Sequence, residues 1–232
     1  MKIGIMQPYF FPYIGYFKLI NQCEKFVLYD NIQYSKKGWI NRNNILVNHQ
    51  AKLFSLPIAK DSDYLDIKDR KIANSFSSEN FLNQIKGAYA KAPHFDVVYD
   101  LLKKCTEFEN RNLFNFIYHS IEQVCNFLEI KTDLLISSEV KIDHSLKFDQ
   151  KIIAICKSLG YKEYLNPIGG VELYSKKQFP EEGINIDYLE NIEKPYQQLG
   201  KEFIGSLSII DVMMIKSRED IKISLNHDYL IF

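Results

Sequence analysis

Hydrophobic and polar residues alternate along this chain in two periods, and the switch between them predicts its elements. Residues 2–6 (KIGIM) form a short β-rich run closed by Gln7-Pro8, which predicts a first strand. Beyond Pro12, the positions Ile14, Phe17, Leu19 and Ile20 predict a helix over 13–22. KFVLY (25–29) predicts a second strand, closed by Asp30. Strand, turn, helix and strand within thirty residues is the rhythm of a parallel sheet with a right-handed crossover. Residues 45–48 and 52–58 predict further strands with a turn near Asn48-His49-Gln50.

The middle third reads differently. Phe81, Ile85 and Ala88-Tyr89 fall at helical spacing before Ala92-Pro93, and a second helix is expected over about 96–108. The clearest stripe of the chain is Leu113, Ile117, Ile121, Val124-Cys125 and Leu128. Alternation then returns. DLLIS (133–137) predicts a strand, Phe148 to Leu159 a helix ending at Gly160, and YKEYLNP (161–167) and INIDYL (184–189) two more strands. A last helix is expected over 206–215, capped by Ser206. The pattern predicts one α/β domain over 1–232, with a mostly parallel sheet and a helical insertion at about 79–130.

Composition narrows the function classes. Lysine plus arginine and aspartate plus glutamate number 29 each. That balance argues against a general binder of nucleic acid or of anionic membranes, which needs a basic excess. The four cysteines are scattered without a CxxC pair, and no zinc-ligand spacing occurs, so no metal is assigned. No apolar run approaches the ~20 residues of a membrane span. The prolines at 8 and 12 interrupt any signal-peptide core, and cytoplasmic residence is expected. No motif names a cofactor or an oligomeric state.

Three stretches carry candidate chemistry. In QPYFFPYIGYFKLI, Gln7 ends the first strand, at the edge where open α/β sheets bind ligands. Tyr13, Gly15 and Tyr16 sit at a helix start, where free N–H groups favour an anion. In YDNIQYSKKGWINRNNI, Asp30 is placed to act as a general base. Gln33, Lys36, Lys37, Trp39, Asn41, Arg42 and Asn43 gather charge, amide and indole suited to a phosphorylated, ring-bearing ligand. In NPIGGVELY, Asn166 ends a strand, Gly169-Gly170 permits close backbone approach, and Tyr174 follows. GxGxxG is absent, so no dinucleotide fingerprint exists. His144, in a polar loop beside Asp143, is the second candidate base.

Together MQPYFFPYIGYFKLI, FVLYDNIQYSKKGWINRN, AYAKAPHF, NPIGGVELY with Phe179, and PYQQLGKEFIGSLSIIDVMM resemble the WbqC-like family, found among O-antigen and other surface-polysaccharide genes. The resemblance implies work on a glycan precursor. The activity expected from it is acyl or aminoacyl transfer to a nucleotide-linked amino sugar, with an acyl donor that can be a carrier-bound thioester. A second likeness lies in Tyr13-Ile14-Gly15-Tyr16, which sits where nucleotidylyltransferases and pantothenate-synthetase-like enzymes carry a HIGH motif. It implies a Rossmann-like fold. It also offers an alternative, nucleotidyl transfer or adenylate formation with tyrosines in the histidine places. A non-catalytic partner in polysaccharide assembly is the third reading.

Overall fold

The computed structural model describes residues 1–172 and 178–232. The chain begins with β1 (Lys2–Met6), α1 (Ile14–Asn21) and β2 (Lys25–Leu28), and continues into the strands β3 (Arg42–Val47) and β4 (Gln50–Ser55). Three helices follow, α2 (Ser78–Tyr89), α3 (Phe95–Thr106) and α4 (Leu113–Phe127). The alternation resumes with β5 (Asp133–Ile136), α5 (Phe148–Ser158), β6 (Glu163–Pro167), α6 (Gln178–Glu181) and β7 (Asn185–Asn191). It ends with α7 (Ile209–Ile215), α8 (Arg218–His227) and β8 (Tyr229–Ile231).

Six strands form one sheet in the order β5-β2-β1-β6-β7-β8. Counting only these strands in chain order, the sequence is 3-2-1-4-5-6, the doubly wound order of dinucleotide-binding folds. All neighbours are parallel except β7 and β8. The fold is therefore the α/β, mostly parallel sheet expected from the alternation, and it is Rossmann-like, as the likeness of Tyr13-Ile14-Gly15-Tyr16 implies. The strands predicted near 45–58 do not join it: β3 and β4 make a separate antiparallel hairpin, turned by Asn48 (φ +48) and His49 (φ +64). Two consecutive residues in the left-handed region twist a tight turn to suit an antiparallel pair.

Each face of the central sheet has its own core. One face gathers Phe26, Leu28, Leu165 and Leu189 with the buried sides of α1, α2, α3, α4, α7 and α8. The other packs Ile3, Ile5, Val27 and Tyr164 against Ile152, Ile153, Ile155 and Cys156 of α5 and Phe179 of α6. The stripe on α4 is buried as its spacing implies, with Leu113, Ile117, Ile121 and Val124 all at 1% exposure or less. Each such side chain contributes roughly 1.5–3 kcal/mol relative to exposure. α5 ends where Gly160 adopts φ +78, a position that favours glycine. The last predicted helix begins three residues later than expected: Ser208, not Ser206, accepts from the Ile210 N–H and caps it. Ser206 instead has φ +57, and its N–H donates to the Glu193 carboxylate.

The N-terminal loop is clamped rather than draped. Phe11 is held at φ +43, unusual for a bulky residue, and is 1% exposed. Its carbonyl accepts from Asn43 Nδ2 at 2.8 Å and from Ser208 Oγ at 2.7 Å. Phe10 N–H donates to the Ile40 carbonyl, and Ile209 N–H to that of Pro12. One loop thus ties α1 to the hairpin and to the start of α7.

All four cysteines are free and buried, and burial pushes each thiol up to about 12 from 9.0. A raised folded-state pKa gives stability that is complete below pH 9.0 and is lost as pH climbs toward 12. Lys18 acts in the opposite sense: burial lowers it to about 8 from 10.5, so its contribution rises across that interval. Four thiols outweigh one amine. The thermal midpoint should therefore fall steadily above pH 9, and a Cys156→Val variant should show a shallower fall in scanning calorimetry.

Candidate functional site

The sheet order reverses between β1 and β6. From that gap the chain winds one way through β2 and β5 and the other way through β7, which opens a crevice at the carboxyl ends of the strands. Gly4 registers with Leu165 and Met6 with Leu28, so Gln7, Asp30 and Asn166 all lie at that edge. They come together although 159 positions separate Gln7 from Asn166.

Asn166 is 4% exposed. Its Oδ1 accepts from Tyr164 Oη at 3.0 Å, which orients the amide, while its Nδ2 has no hydrogen-bond partner among the described residues. Gly170, in the single helical turn after β6, leaves room for that amide: a Cβ there would overlap Asn166 Nδ2. Its backbone is not left-handed, so the glycine is required for space. Across the ladder Asn166 registers with Tyr188, and registered side chains leave a sheet on the same face. The Tyr188 hydroxyl is also buried without a partner among the described residues, and its pKa is raised by burial and then by the nearby Asp149 carboxylate. A buried donor left unpaired costs about 1–3 kcal/mol. Two such donors beside one topological switch point mark a place for an acceptor-rich ligand.

The first turn of α5 adds a cation. Lys151 is 4% exposed; its Nζ donates to the Asn31 carbonyl at 3.1 Å and sits 5.0 Å from the centre of the Tyr29 ring. Among the described residues no carboxylate lies within 4.0 Å of it. Burial lowers its pKa, against the opposing pull of Asp66 and then Asp30. Asp66 shifts up, chiefly by burial and then by Asp69.

The two candidate bases differ in availability. Asp30 is 1% exposed, and both its oxygens are engaged by Ser138, Oδ1 by the backbone N–H at 2.9 Å and Oδ2 by the hydroxyl at 2.6 Å. It ties the end of β2 to the end of β5. His144 is exposed, and its Nδ1 lies 2.9 Å from Asn31 Nδ2, while Asn31 Oδ1 accepts from Ser137 at 2.8 Å. Thus a Ser137–Asn31–His144 chain holds the imidazole at the carboxyl edge.

The remaining sequence candidates serve mostly to build loops. Tyr16 is buried and donates to the Gln7 carbonyl, and the Tyr13 ring lies over Gly15, where a Cβ would strike it. Asn41 joins Tyr34 to Leu56, and Asn43 holds Phe11. Arg42 spends Nε on the Gly38 carbonyl at 2.7 Å and Nη2 on that of Lys36. The expected Arg42 fork therefore closes its own turn. Lys36 pairs with Asp63, Gln33 donates to the Asp63 carbonyl, and Lys37 and Trp39 are exposed, Trp39 at 51%. Gly169 is open, and Tyr174 lies outside the described residues.

The side chains of this site, from Gln7 to Tyr188, fall within one family match. The model for the WbqC-like protein family aligns with residues 7–223. The chain belongs to the WbqC-like protein family. It is also 24% identical over 215 residues to the uncharacterized protein Rv1507c of Mycobacterium tuberculosis (strain ATCC 25618 / H37Rv), covering 91% of this chain and 92% of that one. The family match begins at Gln7, directly after β1, and takes in all of β2, β6 and β7, so the named crevice side chains from Gln7 to Tyr188 lie inside it. Among the described residues no helix is long and apolar enough to cross a membrane, and no group of three metal-ligating side chains is assembled.

Asn166→Asp tests the crevice. It keeps the acceptor for Tyr164 but exchanges the unpaired donor for a second acceptor. It should fold and lose at least tenfold in affinity for an acceptor-rich ligand, about 1.4 kcal/mol, whereas Arg42→Lys should bind as the native chain does. Titration calorimetry with a nucleotide-linked amino sugar, alongside thermal melts, measures both.

Proposed function

We propose that the chain is a cytoplasmic transferase of surface-polysaccharide precursor biosynthesis, which acylates the amine of a nucleotide-linked amino sugar. The observation that carries this reading is the pair of unpartnered buried donors, Asn166 Nδ2 and Tyr188 Oη, at the switch point of the sheet. Both offer hydrogen bonds to the oxygens of a sugar or a phosphate. Lys151, buried and without a carboxylate partner among the described residues, offers positive charge to the diphosphate. The family's association with polysaccharide genes supplies the glycan; the site supplies the donors.

His144 is the base in this proposal. The Asn31 amide is held on its far side by a hydroxyl that either donates or accepts. With the Asn31 side-chain amide flipped, so that Oδ1 accepts Nδ1–H and Nδ2 donates to Ser137 Oγ, Nε2 presents its lone pair. The sugar amine attacks the carbonyl of an acyl thioester, forming the C–N bond while the C–S bond breaks. Its proton passes to Nε2, and the imidazolium returns it to the leaving thiolate. No nucleoside triphosphate is consumed.

The alternative reading through Tyr13-Ile14-Gly15-Tyr16 has weaker support. Tyr16 is 1% exposed with its hydroxyl on the Gln7 carbonyl, and the Tyr13 ring covers the helix start.

The test incubates the protein with nucleotide-linked amino sugars and acyl thioesters, following thiol release. We expect release that depends on the sugar and not on ATP, and a fall of roughly 10²–10⁴ in kcat for His144→Ala with KM retained. Pyrophosphate release on adding ATP would establish the nucleotidyl reading instead. Binding of the sugar without either product would leave a non-catalytic role.

A further inference from the structure

A second cavity lies outside the crevice, where the loop after β2 meets the segment after β4. It encloses about 390 Å³ and is lined in part by Tyr34, Lys36, Asn41, Lys60, Asp61 and Arg70. Its floor is preorganised. Tyr34 Oη donates to Asn41 Oδ1 at 2.8 Å, and Asn41 Nδ2 donates to the Leu56 carbonyl at 2.7 Å. The backbone of Arg70 is fixed on both sides, its N–H on the Ile67 carbonyl and its carbonyl on the Leu113 N–H.

Arg70 is the anomaly. It is 3% exposed, yet among the described residues no carboxylate lies within 4.0 Å of its guanidinium. Its carbon rests 4.8 Å from the centre of the Tyr34 ring, and Nη1 donates to the Ser62 carbonyl at 2.7 Å. Among the described residues Nε is buried without a partner and Nη2 donates to none. A guanidinium taken out of water without a counter-charge is costly. The aromatic face and one carbonyl offset only part of that cost. Asp63 feels the Arg70 charge only from beyond ion-pair distance, since its carboxylate is bound to Lys36, and Asp61 accepts from the Ser62 N–H at the mouth.

The edge left free, Nε with Nη2, is the edge that grips two oxygens of one oxyanion side by side. We propose that this cavity is a binding site for a small oxyanion, a carboxylate or a phosphate, held by the Nε and Nη2 edge of Arg70, with Lys60 at the rim. The site does not depend on the reading of the crevice, since it shares none of the crevice groups Asn166, Tyr188 or Lys151. A lysine has no planar fork, so it would not reproduce the two-point grip.

Titration of the full-length protein with inorganic phosphate and, separately, with succinate tests this and distinguishes the two sources. We expect one-to-one binding of at least one of them. Arg70→Lys should weaken it tenfold or more, Lys60→Ala should weaken it less, and Asn166→Asp should leave it unchanged. Because a variant at a buried arginine can fail to fold, the Arg70 Nε–H resonance of the native protein is followed in the same titrations. A saturable shift of that resonance supports the site even if the variant unfolds. Absence of binding by both anions, or binding that moves neither the Nε–H resonance nor the affinity of a folded Arg70→Lys variant, would overturn it.

Discussion

Parallel pairing of β1 with both β2 and β6 is the constraint from which the rest follows. A parallel strand cannot be joined to its neighbour by a tight turn, so each connection must cross a face of the sheet. The helices that follow the two central strands lie on opposite faces, α1 after β1 on one and α6 after β6 on the other. No helix can then cover the carboxyl ends of β1 and β6 themselves. The crevice is thus a consequence of winding, and what fills it is decided by the few residues that follow each strand.

Those residues divide into groups that are satisfied and groups that are not. Near the ends of β2 and β5, Asp30, Asn31, Ser137 and Ser138 bind one another. At the end of β6 and in register with it on β7, Asn166 and Tyr188 keep donors unpaired among the described residues in spite of burial. The Phe11 turn fixes the approach on the β1 side, because its carbonyl is held by the hairpin and by the start of α7. A buried network that is complete except toward one side keeps its geometry while awaiting a partner. That is the economy of a preformed binding site.

The sheet was legible in the sequence because its strands are short apolar runs closed by polar or glycine-containing turns. Gln7, Asp30 and Asn166 could be placed at one edge from parallel order alone. Several features were not legible. α8 buries little beyond Ile221, Ser224 and Leu225, so its stripe is too thin to stand out, and β8 has three residues. The cap at Ser208 rather than Ser206 depends on the distant Phe11 carbonyl. Arg42 looked like a ligand clamp because its neighbours are polar, but the nearest carbonyls are those of its own turn. Lys151 and Arg70 escaped notice for the opposite reason: a lone cation in a helix or loop reads as surface until the fold buries it.

The central claim is that the unpaired Asn166 amide is a ligand donor, and nuclear magnetic resonance reads it directly. The side-chain NH2 signal of Asn166, assigned by its loss in Asn166→Asp, is followed while a nucleotide-linked amino sugar is added. The account predicts a saturable downfield shift of one of the two protons, as a hydrogen bond forms, with backbone shifts clustered at residues 5–7, 166–170 and 188. An Asn166 signal that stays fixed while the sugar binds elsewhere would contradict it.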